Sequence, residues 1–308
     1  MTARTVERSW GADEDHVTCA WCGASARSSR SRLAVCPRCA SATTYPRPSD
    51  DELEQAYVGW YRPPSGRFPA GGDRLLALSR ARLARRLDRI APSGPVLDVG
   101  AGEGTLVRAL QARGREALGL ERVSGGDGVV AREVVDFDQS LGEWAGVVFW
   151  HSLEHLGEPA RALDRACQLL ARGGVLVIAL PNLSSWQARW FGRRWFHLDL
   201  PRHLVHVPAA ALRQGVKDRG LRVERVSHWR GGQLVFGWLH GFVGLLPGHP
   251  NLYDAIRRGE ARSGVMSPGA RAGALVAAAV LTPLALVLTV AEVAAGAGGT
   301  VYVEARKQ

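Results

Sequence analysis

Two Cys-x-x-Cys pairs, Cys19/Cys22 and Cys36/Cys39, stand thirteen residues apart near the start of this 308-residue chain. Each pair can offer two thiolates to one ion, and two pairs complete the closed tetrahedron of a structural Zn2+. Gly23, directly after the first pair, suits the tight turn that such a hook needs. A closed four-sulfur site leaves no open position for substrate, so this metal is expected to be structural. Cys167 stands alone at an apolar helical position and reads as core. Four cysteines in one short stretch do not form a distributed disulfide framework, which points to a reducing compartment.

A second constellation begins at residues 96–104, VLDVGAGEG. An apolar strand ends at Asp98, and Gly100, Gly102 and Gly104 make a turn before a helix starts near Thr105. Glycine lets the backbone turn tightly and approach a ligand, and the helix start adds N–H groups and a positive dipole end. The third glycine falls one place early for the dinucleotide spacing G-x-G-x-x-G, where Thr105 stands instead. Glu121 closes the next strand, and a carboxylate there can accept both hydroxyls of a ribose. Asp136 follows the third strand in VVDFD.

Histidine is the third chemical resource, because its pKa near neutrality suits proton transfer. His151 and His155 are four apart, and His203 and His206 three apart, so each pair could share a helical face. His203 is the first choice for a general base, with Asp199 to orient it. His151 is the second, since it follows the fourth strand at the carboxyl edge of the sheet, where open α/β folds bind ligands. Trp186, Trp190, Trp195 and Phe196 crowd the segment before Asp199. They can wall an acceptor pocket, face a membrane or simply pack.

LDVGAGEG, Glu121 and Asp136 together resemble the first three cofactor-binding elements of the class I S-adenosylmethionine-dependent methyltransferases. WAGVVFWHSLEHL (144–156) and LLARGGVLVIALPN (169–182) are similar to the fourth and fifth strands of the branch that includes quinone and small-molecule O-methyltransferases. The resemblance implies that the loop (Asp98, Gly100, Ala101, Gly102, Gly104) cradles the methionine part of S-adenosylmethionine, that Glu121 binds its ribose, and that Asp136 lies by the adenine with Phe137 flanking it. It also implies that a ribbon of the kind formed by Cys19, Cys22, Cys36 and Cys39 helps to recognise the acceptor. HSLEH stands where amino-group methyltransferases of adenine or glutamine carry Asn/Asp-Pro-Pro-aromatic, which lowers the odds of that chemistry.

These residues need elements to position them. Strands are expected at 95–99, 115–120, 131–135, 145–150, 174–180, 221–227 and 300–306. Helices fit at 73–91, 104–113, 159–171 and 208–219. In 73–91, Leu75, Leu76, Leu83, Leu87 and Ile90 share one face and the arginines the other. The expected fold is α/β: a Rossmann-like seven-stranded methyltransferase sheet with an N-terminal zinc ribbon and an apolar helical insertion before the last strand. The chain divides into a ribbon (1–45), a Pro/Gly-rich linker (46–72) with a short helical piece near 50–61, a catalytic domain (73–229 and 300–308) and the insertion (230–299). Tyr57 and Tyr61 follow the ribbon.

Composition bounds the rest. Lys plus Arg is 39 against 29 Asp plus Glu, a formal charge of +10, and only Lys217 and Lys307 are lysines. At 46% hydrophobic residues the chain is neither disordered nor a small disulfide scaffold. No signal peptide is read at the N-terminus. Residues 272–291 are apolar for long enough to span a bilayer, but a single crossing would put the last strand on the wrong side. A membrane-dipping hairpin, an interfacial helix pair, and a soluble lid or dimer surface all stay open; Arg257, Arg258, Arg262 and Arg271 could meet anionic lipid. The expected activity is methyl transfer to oxygen of a small molecule, sugar or lipid-linked glycan precursor, by a cytoplasmic enzyme or one peripheral on the inner face of the membrane. The alternatives are an RNA methyltransferase that uses the ribbon and the basic surface, and a non-catalytic membrane adaptor. The sequence does not reveal the oligomeric state.

Overall fold

The computed structural model describes residues 16–28, 32–57, 68, 72–122, 126–138, 142–257 and 266–308. Tyr61, Arg258 and Arg262 lie outside them. The first unit is a meander of short antiparallel strands, β1 (His16–Thr18), β2 (Ser25–Ser28), β3 (Leu33–Val35) and β4 (Ala42–Thr44). Helices α1 (Asp50–Tyr57) and α2 (Gly72–Ile90) lead into the main sheet.

That sheet alternates strands and helices as the apolar pattern demands. It runs through β5 (Val96–Val99), α3 (Thr105–Gln111), β6 (Ala117–Glu121), β7 (Val129–Ala131), β8 (Trp144–Trp150), α4 (Pro159–Leu169) and β9 (Leu170–Pro181). After α5 (Trp186–Phe191) and the two-residue β10 (Val205–His206) come α6 (Ala209–Lys217) and β11 (Leu221–Ser227). Then follow α7 (Gly232–Val243), α8 (Leu252–Ile256), α9 (Pro268–Ala294) and β12 (Thr300–Lys307). The seven strands are ordered β11-β12-β9-β8-β5-β6-β7, with β12 antiparallel to both neighbours. The fold is thus the expected Rossmann-like seven-stranded sheet. Central strands β5, β8 and β9 are covered on both faces, and their side chains are near-continuously buried, as helices on both sides of a parallel sheet require.

Several expectations shift. The strand expected at 131–135 is β7, two residues earlier, and Val134–Asp136 is a 3-10 turn. Only the C-terminal half of α2 packs inward, through Leu83 and Leu87. Leu75 and Leu76 are exposed. Residues 203–206 are not helical: Val205 and His206 pair with Thr43 and Ala42, so β10 becomes the fifth strand of the ribbon's sheet.

The last strand carries a buried carboxylate with a full set of partners. Glu304 accepts two hydrogen bonds from the Arg86 guanidinium, at 2.8 and 2.6 Å, and one from the Tyr302 hydroxyl. Arg86 and Tyr302 hold its carboxyl below the usual range against the effect of burial.

Candidate active site

Several chain segments converge at the carboxyl edge of β5, β6 and β8. The glycine loop leaves β5 with Gly100, Gly102 and Gly104 all at positive φ. Gly100 has no alternative: a Cβ there would stand 2.3 Å from the Cβ of Ser152. Ser152 in turn donates to the Val99 carbonyl, which closes β8 onto the loop. Gly100 and Ala101 spend their N–H groups on the Leu120 carbonyl, and Gly102 donates to Glu121 Oε2 at 2.7 Å. The other oxygen, Oε1, accepts from the Arg122 backbone at 3.0 Å. Glu121 is thereby fixed at the end of β6 beside a cradle that has no side chains on its glycines. This arrangement fits a small ligand with a ribose, and Glu121, the loop and Asp98 are the residues able to hold it. Asp98 is buried, which pushes its carboxyl up to about 7, with Arg80 acting in the opposite sense.

Asp136 is exposed in its 3-10 turn, free to meet a ligand edge. Phe137 is not. It is 1% exposed and packs edge-on against Trp144 at 5.9 Å, so its ring belongs to the core and the expected adenine contact is corrected.

The histidines form a cluster that sequence spacing only partly conveys. His151, directly after β8, sits at φ 54°, a left-handed conformation that costs a non-glycine residue energy and gathers at functional sites. Its Nδ1 lies 3.4 Å from Glu154 Oε1, and its Nε2 is buried with no hydrogen-bond partner. Glu154 follows in the 3-10 turn Leu153–His155 and is 2% exposed, yet neither carboxylate oxygen has a hydrogen bond. Burial pushes its carboxyl above the usual range. For His151, burial first and then Arg230 and Arg80 push the imidazole down to about 3. Both shifts oppose charge in a dry site.

His203, the first choice for a base, is less available. It is buried, and its Nδ1–H donates to the His197 carbonyl at 2.8 Å. Asp199 Oδ2 lies 3.7 Å from its Nε2, but Asp199 is committed to a two-pronged ion pair with Arg202. His155 Nδ1 lies 3.0 Å from the Arg202 carbonyl and 3.1 Å from the Tyr57 hydroxyl, so α1 brings a side chain into the site. Donor atoms of Glu154, His155 and His203 all lie within 4.8 Å of one another. Three donors fall one short of a closed tetrahedral ion site. His206 is structural, with Nε2 3.3 Å from Thr44 Oγ1. Glu154 is the residue that sequence reasoning missed. Its only trace is an acid between two histidines in the turn HSLEHL, directly after a buried strand.

Around this cluster the walls are aromatic and cationic. The Arg230 and Arg80 guanidinium carbons lie 4.0 and 5.0 Å from the Trp150 ring centroid. The His151 and His197 rings stack at 6.4 Å. Phe196 packs on Phe236, His240 and Tyr253, so the insertion helices α7 and α8 form one side of the site.

The cysteine unit stands next to it. The Cys19–Cys39 and Cys22–Cys36 sulfurs are 3.7 and 3.6 Å apart, and all four lie within 4.8 Å. A tetrahedron with Zn–S bonds of about 2.3 Å has edges of about 3.8 Å, so the four thiols fit a zinc ion. The two hooks are built alike. Gly23 donates to the Cys19 carbonyl and Ala40 to that of Cys36, both from positive φ. The ribbon is sutured to the catalytic domain. Thr44 donates its hydroxyl to the His203 carbonyl at 2.6 Å and its N–H to that of Leu204. Trp21 is buried against Gly215, its indole N–H 3.3 Å from the Ala211 carbonyl.

Known proteins share this pattern. The model of a methyltransferase-domain family matches residues 73–226. The ubiquinone biosynthesis O-methyltransferases of two Xylella fastidiosa strains are 27% identical over 202 residues, covering 58% of this chain and 80% of theirs. Among solved structures, a SAM-dependent methyltransferase from Archaeoglobus fulgidus superimposes with a TM-score of 0.47 at 18% identity, over 75% of this chain and 93% of that one. A geranyl diphosphate methyltransferase in complex with SAM gives 0.47 at 15% identity, over 77% and 87%. With half of its length, 73–226, matched by the family and the sheet and glycine loop in place, the chain belongs to the methyltransferase-domain family and is a class I S-adenosylmethionine-dependent methyltransferase.

Proposed function

We propose that the enzyme methylates a hydroxyl oxygen of a small-molecule acceptor, with Glu154 and His151 taking the hydroxyl proton. The observation that carries this reading is the carboxylate of Glu154, buried without a hydrogen bond beside a histidine whose outer nitrogen also has none. Buried polar groups are almost always satisfied, so an unsatisfied pair abutting the cofactor loop through Ser152 is a site prepared for a ligand. The 27% identity to ubiquinone biosynthesis O-methyltransferases supports oxygen as the acceptor atom and a small molecule as its bearer. A sugar or a lipid-linked glycan would offer the same hydroxyl chemistry.

S-adenosylmethionine supplies an electrophilic methyl on a sulfonium sulfur. The glycine loop and Asp98 hold its methionine end, Glu121 the ribose, and Asp136 the adenine side. With the cofactor bound, an acceptor oxygen would take its methyl and the S–C electron pair would stay with sulfur; the chain's own part is to take the hydroxyl proton. Base strength follows pKa. A histidine held down to about 3 is a poor final acceptor, whereas burial makes Glu154 a stronger base than an ordinary carboxylate. His151 therefore relays the proton from Nε2 and Glu154 stores it. Asp199, Arg202 and His203 position the cluster from behind.

The ribbon holds a structural Zn2+ and buttresses the His203–His206 segment. Its Trp21 is buried against the catalytic domain. The test of the activity uses methyl-labelled S-adenosylmethionine with a panel of phenols and polyols. The expected product carries an oxygen-bound methyl group. A methyl found on nitrogen or carbon overturns the reading.

A further inference from the structure

Helix α9 is built inside out. Its inward face carries small or polar side chains, with Ala274, Ala285, Thr289 and Glu292 buried. Its outward face carries the large apolar ones. Val276, Val280, Val287 and Val290 are 63, 73, 66 and 61% exposed, and Leu275, Leu284 and Leu286 accompany them. No charged residue occurs in 272–291, about 30 Å of helix. A helix on a water-soluble surface does the reverse, and an apolar face of this length needs a cover.

The surroundings indicate which cover. Among the described residues of α5, α7, α8, α9 and the turn Gly192–Arg194, every charged side chain that reaches the surface is an arginine: Arg189, Arg193 and Arg194 fully, and Arg271 in part. Asp254, Arg257 and Glu292 are buried. Trp190, 62% exposed, sits among these arginines and packs edge-on against Trp238 and Phe242 of α7, the helix that lies along α9. Arg194 reaches His249, in the loop that lines a cavity with Ser267, Ala270 and Gly273 at the start of α9. An apolar band bordered by arginine and an exposed tryptophan matches an anionic bilayer surface.

The helix cannot cross that bilayer in this fold. Glu292, at its end, accepts hydrogen bonds from Gln187 and Trp238, and β12 then returns directly to pair with β9 and β11. At its start Arg271 donates to the Ala255 carbonyl. Both ends are anchored on the same side.

We propose that the outer face of α9, with Trp190 and the arginines of 189–194, docks on an anionic lipid bilayer, with the helix lying in the interface rather than spanning it. The inference is independent of the acceptor. It does have a consequence for it: α7 and α8, which carry α9, also wall the active site through Phe236, His240 and Tyr253, so the docked face and the acceptor entrance belong to one unit.

The test is flotation of the full chain with vesicles of phosphatidylcholine plus phosphatidylglycerol, and with phosphatidylcholine alone. The wild type should float with the anionic vesicles, and less with the neutral ones. Val280→Asp with Val287→Asp should lower the partition coefficient at least about tenfold, because two apolar contacts with lipid are lost. Arg189→Glu with Arg193→Glu and Arg194→Glu should abolish the preference for anionic lipid and its dependence on salt. This second variant lies on a different element, so it decides the matter even if the first misfolds. A wild type that stays below the vesicles overturns the proposal. So does a lipid-free dimer that Val280→Asp with Val287→Asp dissociates, since a second copy would then be the cover.

Discussion

Two regions of the molecule break opposite rules of burial. At the carboxyl edge of the sheet, Glu154 and His151 are polar groups withdrawn from water without hydrogen bonds. On α9, valines and leucines are left in water without cover. Two other buried carboxylates are partnered. Glu304, as buried as Glu154, has three donors, and Glu292 has Gln187 and Trp238. The contrast between Glu304 and Glu154 is instructive, because the same residue type at the same 2% exposure is held below the carboxylate range by its donors in one place and pushed above it by burial in the other. Stability explains the first arrangement; the second costs stability, which is the ground for proposing Glu154 as a proton acceptor.

The largest effect is expected from the ribbon, which pairs with β10 beside the polar region and packs Trp21 on α6. Stripping zinc with a strong chelator, or Cys36→Ser, should remove binding energy of order 10 kcal/mol from that unit. The β4–β10 pairing should loosen and methyl transfer should fall, while the packing of α7 on α9 is unchanged. Hydrogen exchange of the two regions reads this directly, and elemental analysis should find about one zinc per chain. Loss of protection spread evenly over both regions would contradict it.

The two faces of α9 give the next contrast. Ala285→Asp buries a charge against Phe191, Trp195 and Trp238 and should cost about 3 kcal/mol or more. Gly100→Ala is expected to fall below it, at about 1–3 kcal/mol, from a strained φ of 79° and a Cβ 2.3 Å from Ser152. It should also weaken cofactor binding, which calorimetry with S-adenosylmethionine measures. Val287→Asp, on the outer face, should shift the denaturation midpoint by no more than about 0.5 kcal/mol.

Much of this was legible beforehand. The cysteine hooks, the glycine loop and Glu121 are local patterns, and the strand rhythm holds along the sheet except at β7, which starts two residues early. What escaped depends on contacts remote in sequence. Glu154 has no local mark of burial; it becomes unusual only when His197 stacks on His151 and Leu204 donates to the Glu154 carbonyl, which close the later segment over its turn. β10 exists because Ala42 and Thr43 supply a partner edge some 160 residues earlier, so a spacing that suited a helix yields a strand. The resemblance places Phe137 by the adenine, yet its ring packs on Trp144 in the core. The length of α9 was plain, but which face holds the small residues is decided by where α7 lies.

The role of Glu154 as proton acceptor is tested by single-turnover methyl transfer to the acceptor by the wild type and by Glu154→Gln, with S-adenosylmethionine affinity measured on both. The variant should bind the cofactor normally and transfer about 100-fold more slowly or worse. The ionised carboxylate is the active form and burial raises its pKa, so the wild-type rate should fall, as pH drops, at a pH above the ordinary carboxylate range. That limb should be absent in Glu154→Gln. A variant with the wild-type rate and pH profile would contradict the assignment of Glu154 as the proton acceptor.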